Sequence, residues 1–125
     1  MDRSVFRNLV SAAIGSLPPI FLEKIENVEI VVDDFPDPEL MVSLALPRDS
    51  LLFGLYQGIP KTKRSSSYSM VLPDKITLYQ RCIEYVCHTP DQIAAKVRHT
   101  LIHEIGHHFG LSESEIRSAQ TGADS

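Results

Sequence analysis

No stretch of this chain approaches the run of about 20 apolar residues that a membrane-spanning helix needs, so no span is expected. Cysteine is scarce, with Cys82 and Cys87 the only two. They stand five apart in a segment that reads as helix and point in different directions. Neither a disulfide nor a zinc-binding cysteine pair is therefore expected. The two read as partly buried thiols in a reducing, cytoplasmic setting. Positive charge is not in excess either. The net charge of −4 and pI of about 5.7 argue against nucleic acid or an anionic membrane as partner. With no internal repeat and no linker-like break, residues 1–125 read as one domain, long enough to bury about two thirds of its unfolded surface.

The N-terminus places Arg3 and Arg7 before "LVSAAIGSL", in the manner of a secretion signal. Serine and glycine interrupt that apolar run, and Asp2 sits where only positive charge belongs. An amphipathic helix accounts better for Val5, Phe6, Leu9, Val10, Ala13, Ile14 and Leu17, with "LPP" ending it. "NVEIVVDD" (27–34), "LLFGLYQG" (51–58) and "KITLYQ" (75–80) read as strands. Between the first two, Pro36, Pro38 and Pro47 break any long element. The polar segment "IPKTKRSSSYSMVLP" (59–73) reads as a long loop, whose Lys61, Lys63 and Arg64 need no role beyond a solvated surface. "RCIEYVCH" reads as a short helix.

A longer helix has a clear start. Thr89 can N-cap it, Pro90 suits its first position, and Gln92 completes a Thr-x-x-Gln box. Ile93, Val97, Leu101, Ile105 and Phe109 then form an apolar stripe, widened by Ala94 and Ile102, and Gly110 stops it. This helix also carries four of the five histidines, in "HTLIHEIGHHFG" (99–110).

His103 and His107 are one turn apart, so their rings leave the same face, as two imidazoles must to reach one zinc ion. Glu104 falls on the edge of that arc, where it can sit beside a metal-bound water without ligating. The result is H-E-x-x-H. A catalytic zinc site wants a third protein ligand. Gly110 permits a sharp turn that returns Glu113, six residues past His107. Glu113 is the preferred third ligand, with Glu115, His108 and His99 left as alternatives. Ser112 and Glu115 also form a capping box, which would make Glu113 a first-turn acid. His108 lies on the apolar stripe and reads as a hydrogen-bonded core or supporting histidine. His99 reads as solvated or cleft-lining, and His88 as surface.

The residues "HTLIHEIGHHFGLSESE", with "LLFGLYQGIP", "LPDKITLYQRCIE" and "LPPIFLEKIENVEIVV" upstream, resemble the small bacterial zincin-like metallopeptidases over nearly the whole chain. The resemblance implies an α+β fold, a minimal zincin with a small mixed or antiparallel sheet against an active-site helix and an N-terminal helix. It implies zinc held by His103, His107 and Glu113, with Glu104 as the catalytic glutamate. The family usually has aspartate where this chain has Glu113. Only residues 114–125 follow, without methionine, so the methionine turn of larger metzincins cannot follow the site.

The implied activity is hydrolysis of a peptide or protein by metal-activated water, with Glu104 as general base. In zincins the strand before the active helix lines the cleft, so "KITLYQ" is the expected partner for an extended substrate. Tyr79 and Arg81 are candidates for stabilising the oxyanion, with no basis in sequence for choosing. Two rival readings remain. One is a metal-stabilised binding protein with little proteolysis. The other is a zinc-dependent endoribonuclease, whose H-x-x-x-H-x-x-x-x-x-H pattern lacks the glutamate and ends in histidine.

Overall fold

A computed structural model describes residues 1–58 and 73–121. The Lys61, Lys63 and Arg64 cluster lies outside the described residues. In chain order the elements are α1 (Arg3–Gly15), α2 (Pro19–Lys24), β1 (Val28–Asp33), α3 (Pro38–Ser43), β2 (Gly54–Gln57), β3 (Asp74–Tyr79), α4 (Gln80–Val86), α5 (Pro90–His108) and α6 (Glu113–Thr121). This is an α+β architecture with a mixed three-stranded sheet, in the order β1-β3-β2.

Strand β3 is central, parallel to β1 and antiparallel to β2. Its last four residues are all buried, as expected of a strand covered on both faces. Ile76 and Leu78 join the core with the helices, while Thr77 and Tyr79 face the 33–40 segment on the other side. The core is therefore built mainly between the sheet and the α1–α5 pair. Phe6, Val10 and Ala13 come from α1, and Ile93, Val97, Leu101, Ile102 and Ile105 from α5.

Local sequence signals explain most boundaries. Thr89 Oγ1 accepts the Gln92 N–H at 3.1 Å. The Gln92 side chain, however, accepts from His88 N–H rather than from Thr89, one residue earlier than the box requires. Pro19 and Pro38 stand in the first turn of α2 and α3, two short helices that the sequence reading did not anticipate. Proline at a first turn costs no hydrogen bond, so Pro38 starts an element rather than breaking one. Val5 is 44% exposed, on the solvent side of α1.

The two sheet edges differ. On β1 the Val32 carbonyl accepts a hydrogen bond from Arg3 Nη1 at 2.6 Å, and Arg3 also pairs with Asp34. Strand β2 instead packs one face against α5. A Cβ at Gly54 would lie 2.6 Å from Thr100 Cγ2, so glycine is what lets strand and helix approach this closely.

No helix among the described residues is long and apolar enough to cross a membrane.

Candidate active site

Helix α5 divides its surface between core and cleft. Ile93, Val97, Leu101, Ile102 and Ile105 are buried, as the stripe predicts. Phe109 departs from it and is 40% exposed, because the helix closes at this residue. Gly110 has φ +73°. Its N–H donates to His107 O, and Leu111 N–H donates to Gly106 O, the pair of bonds that ends a helix in a Schellman turn.

That turn brings α6 back against α5. Its N-terminus is fixed by a reciprocal capping box. Glu115 N–H donates to Ser112 Oγ at 3.1 Å, and Ser112 N–H donates to Glu115 Oε1 at 3.0 Å. These bonds from Ser112 hold the Glu115 carboxyl below its ordinary pKa and commit its side chain to the cap. Further along, Arg98 on α5 donates to the carbonyls of Ala119 and Gln120. Ile116 lies over Gly106, where an added Cβ would be 2.6 Å from its Cγ1 and 2.9 Å from its Cδ1.

Gly106→Val should therefore force α6 outward and destabilise the fold by about 1–3 kcal/mol. Valine recovers only a few tenths of a kcal/mol of helix propensity over glycine, too little to offset the clash. The urea midpoint reads this effect. Adding Ile116→Ala should make the pair less harmful than the sum. Additivity of the two substitutions would remove the contact as the cause.

The predicted site residues gather at this junction. The His103 and His107 rings have centroids 4.4 Å apart, inclined at 73°. His107 Nε2 is 3.2 Å from Glu113 Oε1, and their side chains are 45% and 64% exposed. Glu113 thus approaches His107 despite being the first residue of α6. Among the described residues, no group of three or more His, Cys, Asp or Glu is placed to hold a metal ion.

Glu104 is half-buried and points toward β2 rather than the histidine pair, its Oε1 accepting the Tyr56 backbone N–H at 2.9 Å. Tyr56 was not legible as part of the site. Its amide is aimed by strand register, and neighbouring residues in sequence carry no sign of that. Its ring stacks on His108 at 3.8 Å, and its hydroxyl donates to Asp74 Oδ2 at 2.7 Å. His108 is therefore not a core histidine. It lies exposed beyond the stripe, on the face that meets β2, with Asp74 at 3.8 Å.

A cavity of about 280 Å³ runs beside this junction, bounded by Phe53, Gly54, Lys96, His99, His103 and Glu104, among others. His99 accordingly lines the cleft. Burial pushes its pKa down, and the charges of Lys96 and His103 add to that shift. His88 is exposed. A larger apolar cavity of about 640 Å³, lined by Phe35, Met41, Val42 and Cys82 among others, contains none of the histidines. Its ionisable lining is Glu39, Arg48, Asp49 and Cys82.

Two expectations are corrected. "KITLYQ" is the middle strand, hydrogen-bonded on both flanks, so it has no edge to offer a substrate. The edge beside Glu104 belongs to β2. Tyr79 and Arg81 also lie away from the cleft. Tyr79 is buried near Asp33 and Asp37, where burial first and those carboxylates second raise its pKa. Arg81 pairs with Asp34 and Glu84.

A family model described as zincin-like metallopeptidase matches residues 25–123. Among solved structures, the chain is similar to a conserved hypothetical protein from Thermus thermophilus. The identity is 21%, the TM-score 0.58, and the match covers 87% of this chain and 94% of that one. That likeness concerns the fold. No curated protein matches the chain.

Proposed function

The chain belongs to the zincin-like metallopeptidase family, and on that premise we propose that it is a zinc-dependent peptidase with Glu104 as general base. The observation that carries this reading is the Glu104 carboxylate, held at a strand edge by the Tyr56 amide and adjacent in sequence to one of two neighbouring histidines.

One pair of the proposed donors has the spacing that zinc asks of its ligands. Two ligands about 2.1 Å from one tetrahedral ion stand ~3.4 Å apart, and His107 Nε2 and Glu113 Oε1 are 3.2 Å apart. His103, His107 and Glu113 would hold the ion, leaving a fourth position open. When bound, it would polarise the substrate carbonyl and lower the pKa of water. The remaining chemistry belongs to the chain. One oxygen of Glu104 is tethered to Tyr56, which fixes the carboxylate and leaves the other to take a proton from the attacking water. The same oxygen can return that proton to the departing amine. Extended peptide would lie along the β2 edge, using the outward backbone groups of Gly54 and the Tyr56 carbonyl, since Glu104 holds the Tyr56 N–H.

A second reading, a metal-stabilised binding protein with little hydrolysis, is favoured by the apolar cavity remote from the histidines. One experiment separates the two. After dialysis against zinc and then buffer, the peptidase should retain about one zinc per chain by mass spectrometry and cleave members of a mixed peptide library. Stoichiometric zinc with no cleavage would leave only the binding reading.

A further inference from the structure

The cleft has a direction. Phe53 meets Lys96, Gly54 meets Thr100, and Tyr56 meets Glu104 and then His108. Strand β2 and helix α5 thus run parallel along the cavity. Tyr79 N–H donates to Phe53 O, which sets the alternation along β2. Phe53, Leu55 and Gln57 turn their backbone groups to β3, while Gly54 and Tyr56 turn theirs the other way. The Tyr56 N–H on Glu104 agrees with this.

Charge is distributed along the same axis. Lys96 stands at the Phe53 end, its Nζ 4.1 Å over the ring, and it lines the cavity shared by His103 and Glu104. No carboxylate among the described residues pairs with it. At the other end Asp74 accepts from the Tyr56 hydroxyl with His108 at 3.8 Å, and Glu113 stands beside His107. With its carboxyl end drawn toward Lys96, a peptide laid along β2 runs from the Tyr56 end to the Phe53 end. That orientation is antiparallel to β2, the commoner pairing.

Seven residues separate Lys96 from His103, ~10 Å along the helix, or about three residues of extended peptide. We propose that Lys96 receives a substrate carboxylate on the leaving-group side, about three residues beyond the scissile bond. The carboxylate is either the peptide's own C-terminus or an Asp or Glu side chain. This proposal deepens the peptidase reading and rests on it.

The test uses the zinc-loaded full chain and peptides identical around the cleaved bond. One set ends three residues later in a free carboxylate, a second ends there in an amide, and a third is an extended amide with glutamate at that position. Acid should exceed amide in kcat/KM by about tenfold, as for a hydrogen bond to a charged group. The difference should reside in KM and shrink with salt. Lys96→Met should bring the acid-to-amide ratio to about one, and Lys96→Arg should restore it. Preference for the free terminus assigns an enzyme that trims carboxyl ends; preference for internal glutamate assigns one that cuts before acidic residues.

Calorimetric binding of the same peptides to zinc-loaded Glu104→Gln protein keeps the two readings separable. If wild type cleaves none of the peptides, the peptidase reading falls, and the binding ratio alone decides the role of Lys96. A ratio near one, or one unchanged by Lys96→Met, overturns the proposal.

Discussion

Glu104→Gln should lower kcat/KM for peptide hydrolysis by about two to four orders of magnitude, the usual contribution of a positioned general base, if Glu104 is the base proposed above. Zinc content and thermal stability should change little. Glutamine is close to isosteric, and its carbonyl oxygen can still accept the Tyr56 N–H that Glu104 accepts at 2.9 Å. The substitution therefore removes the proton acceptor without releasing β2 from α5. Glu104→Asp makes the complementary change, keeping a carboxylate but shortening it by a methylene, so that base and strand contact no longer coincide. Quenched-fluorescence peptide assays with parallel metal analysis read both variants. Activity of Glu104→Gln within tenfold of wild type would remove Glu104 as the base. In a binding protein without hydrolysis, the substitution would have nothing to abolish.

His107→Ala should produce the second large effect, on zinc rather than on chemistry. His107 is the middle member of the proposed donor set, 4.4 Å from His103 between ring centroids and 3.2 Å from Glu113 between donor atoms. Loss of a partner that merely supports a ligand costs 10–100-fold in affinity, so loss of the ligand itself should cost more than about 100-fold. Without metal, the variant should be about as stable as wild type, since an exposed side chain contributes within ~0.5 kcal/mol. With zinc at 100 times the wild-type Kd, wild type gains about 2.7 kcal/mol and the variant gains almost nothing. Chelator competition and thermal unfolding with and without zinc measure the two quantities. His108→Ala supplies the contrast. His108 stacks on Tyr56 instead of facing Glu113, so its removal should leave zinc affinity within tenfold. Equal losses from the two variants would mean that the donor set has been misassigned.

Legibility in the sequence followed the range of the interactions. Features set within one or two helical turns could be read directly: the α5 stripe, the cap at Thr89, the Gly110 turn and the Ser112–Glu115 box. The adjacency of His103 and His107, and the return of Glu113 to His107, follow from those same short spacings. Strand order did not. Nothing local in "KITLYQ" says that β1 and β2 flank it on both sides, although its all-buried end is the corresponding structural sign. Tyr79 and Arg81 were candidates for the cleft because they adjoin that strand, and its pleat sends Tyr79 to the opposite face. Phe109 follows a periodicity that ceases where the helix does, and His108, the last helical residue, is exposed against the Tyr56 ring.

The bond between Tyr56 and Glu104 has a practical consequence. A backbone amide that donates to a side-chain carboxylate has a proton resonance displaced according to the strength and charge of its acceptor. The Tyr56 ¹H–¹⁵N cross-peak is therefore a single-amide gauge of the cleft, with no reporter group attached there. It should move when Glu104 becomes glutamine and when an inhibitor engages that carboxylate. It should stay still when ligands occupy the apolar cavity beside α3, so one spectrum can sort compounds by where they bind.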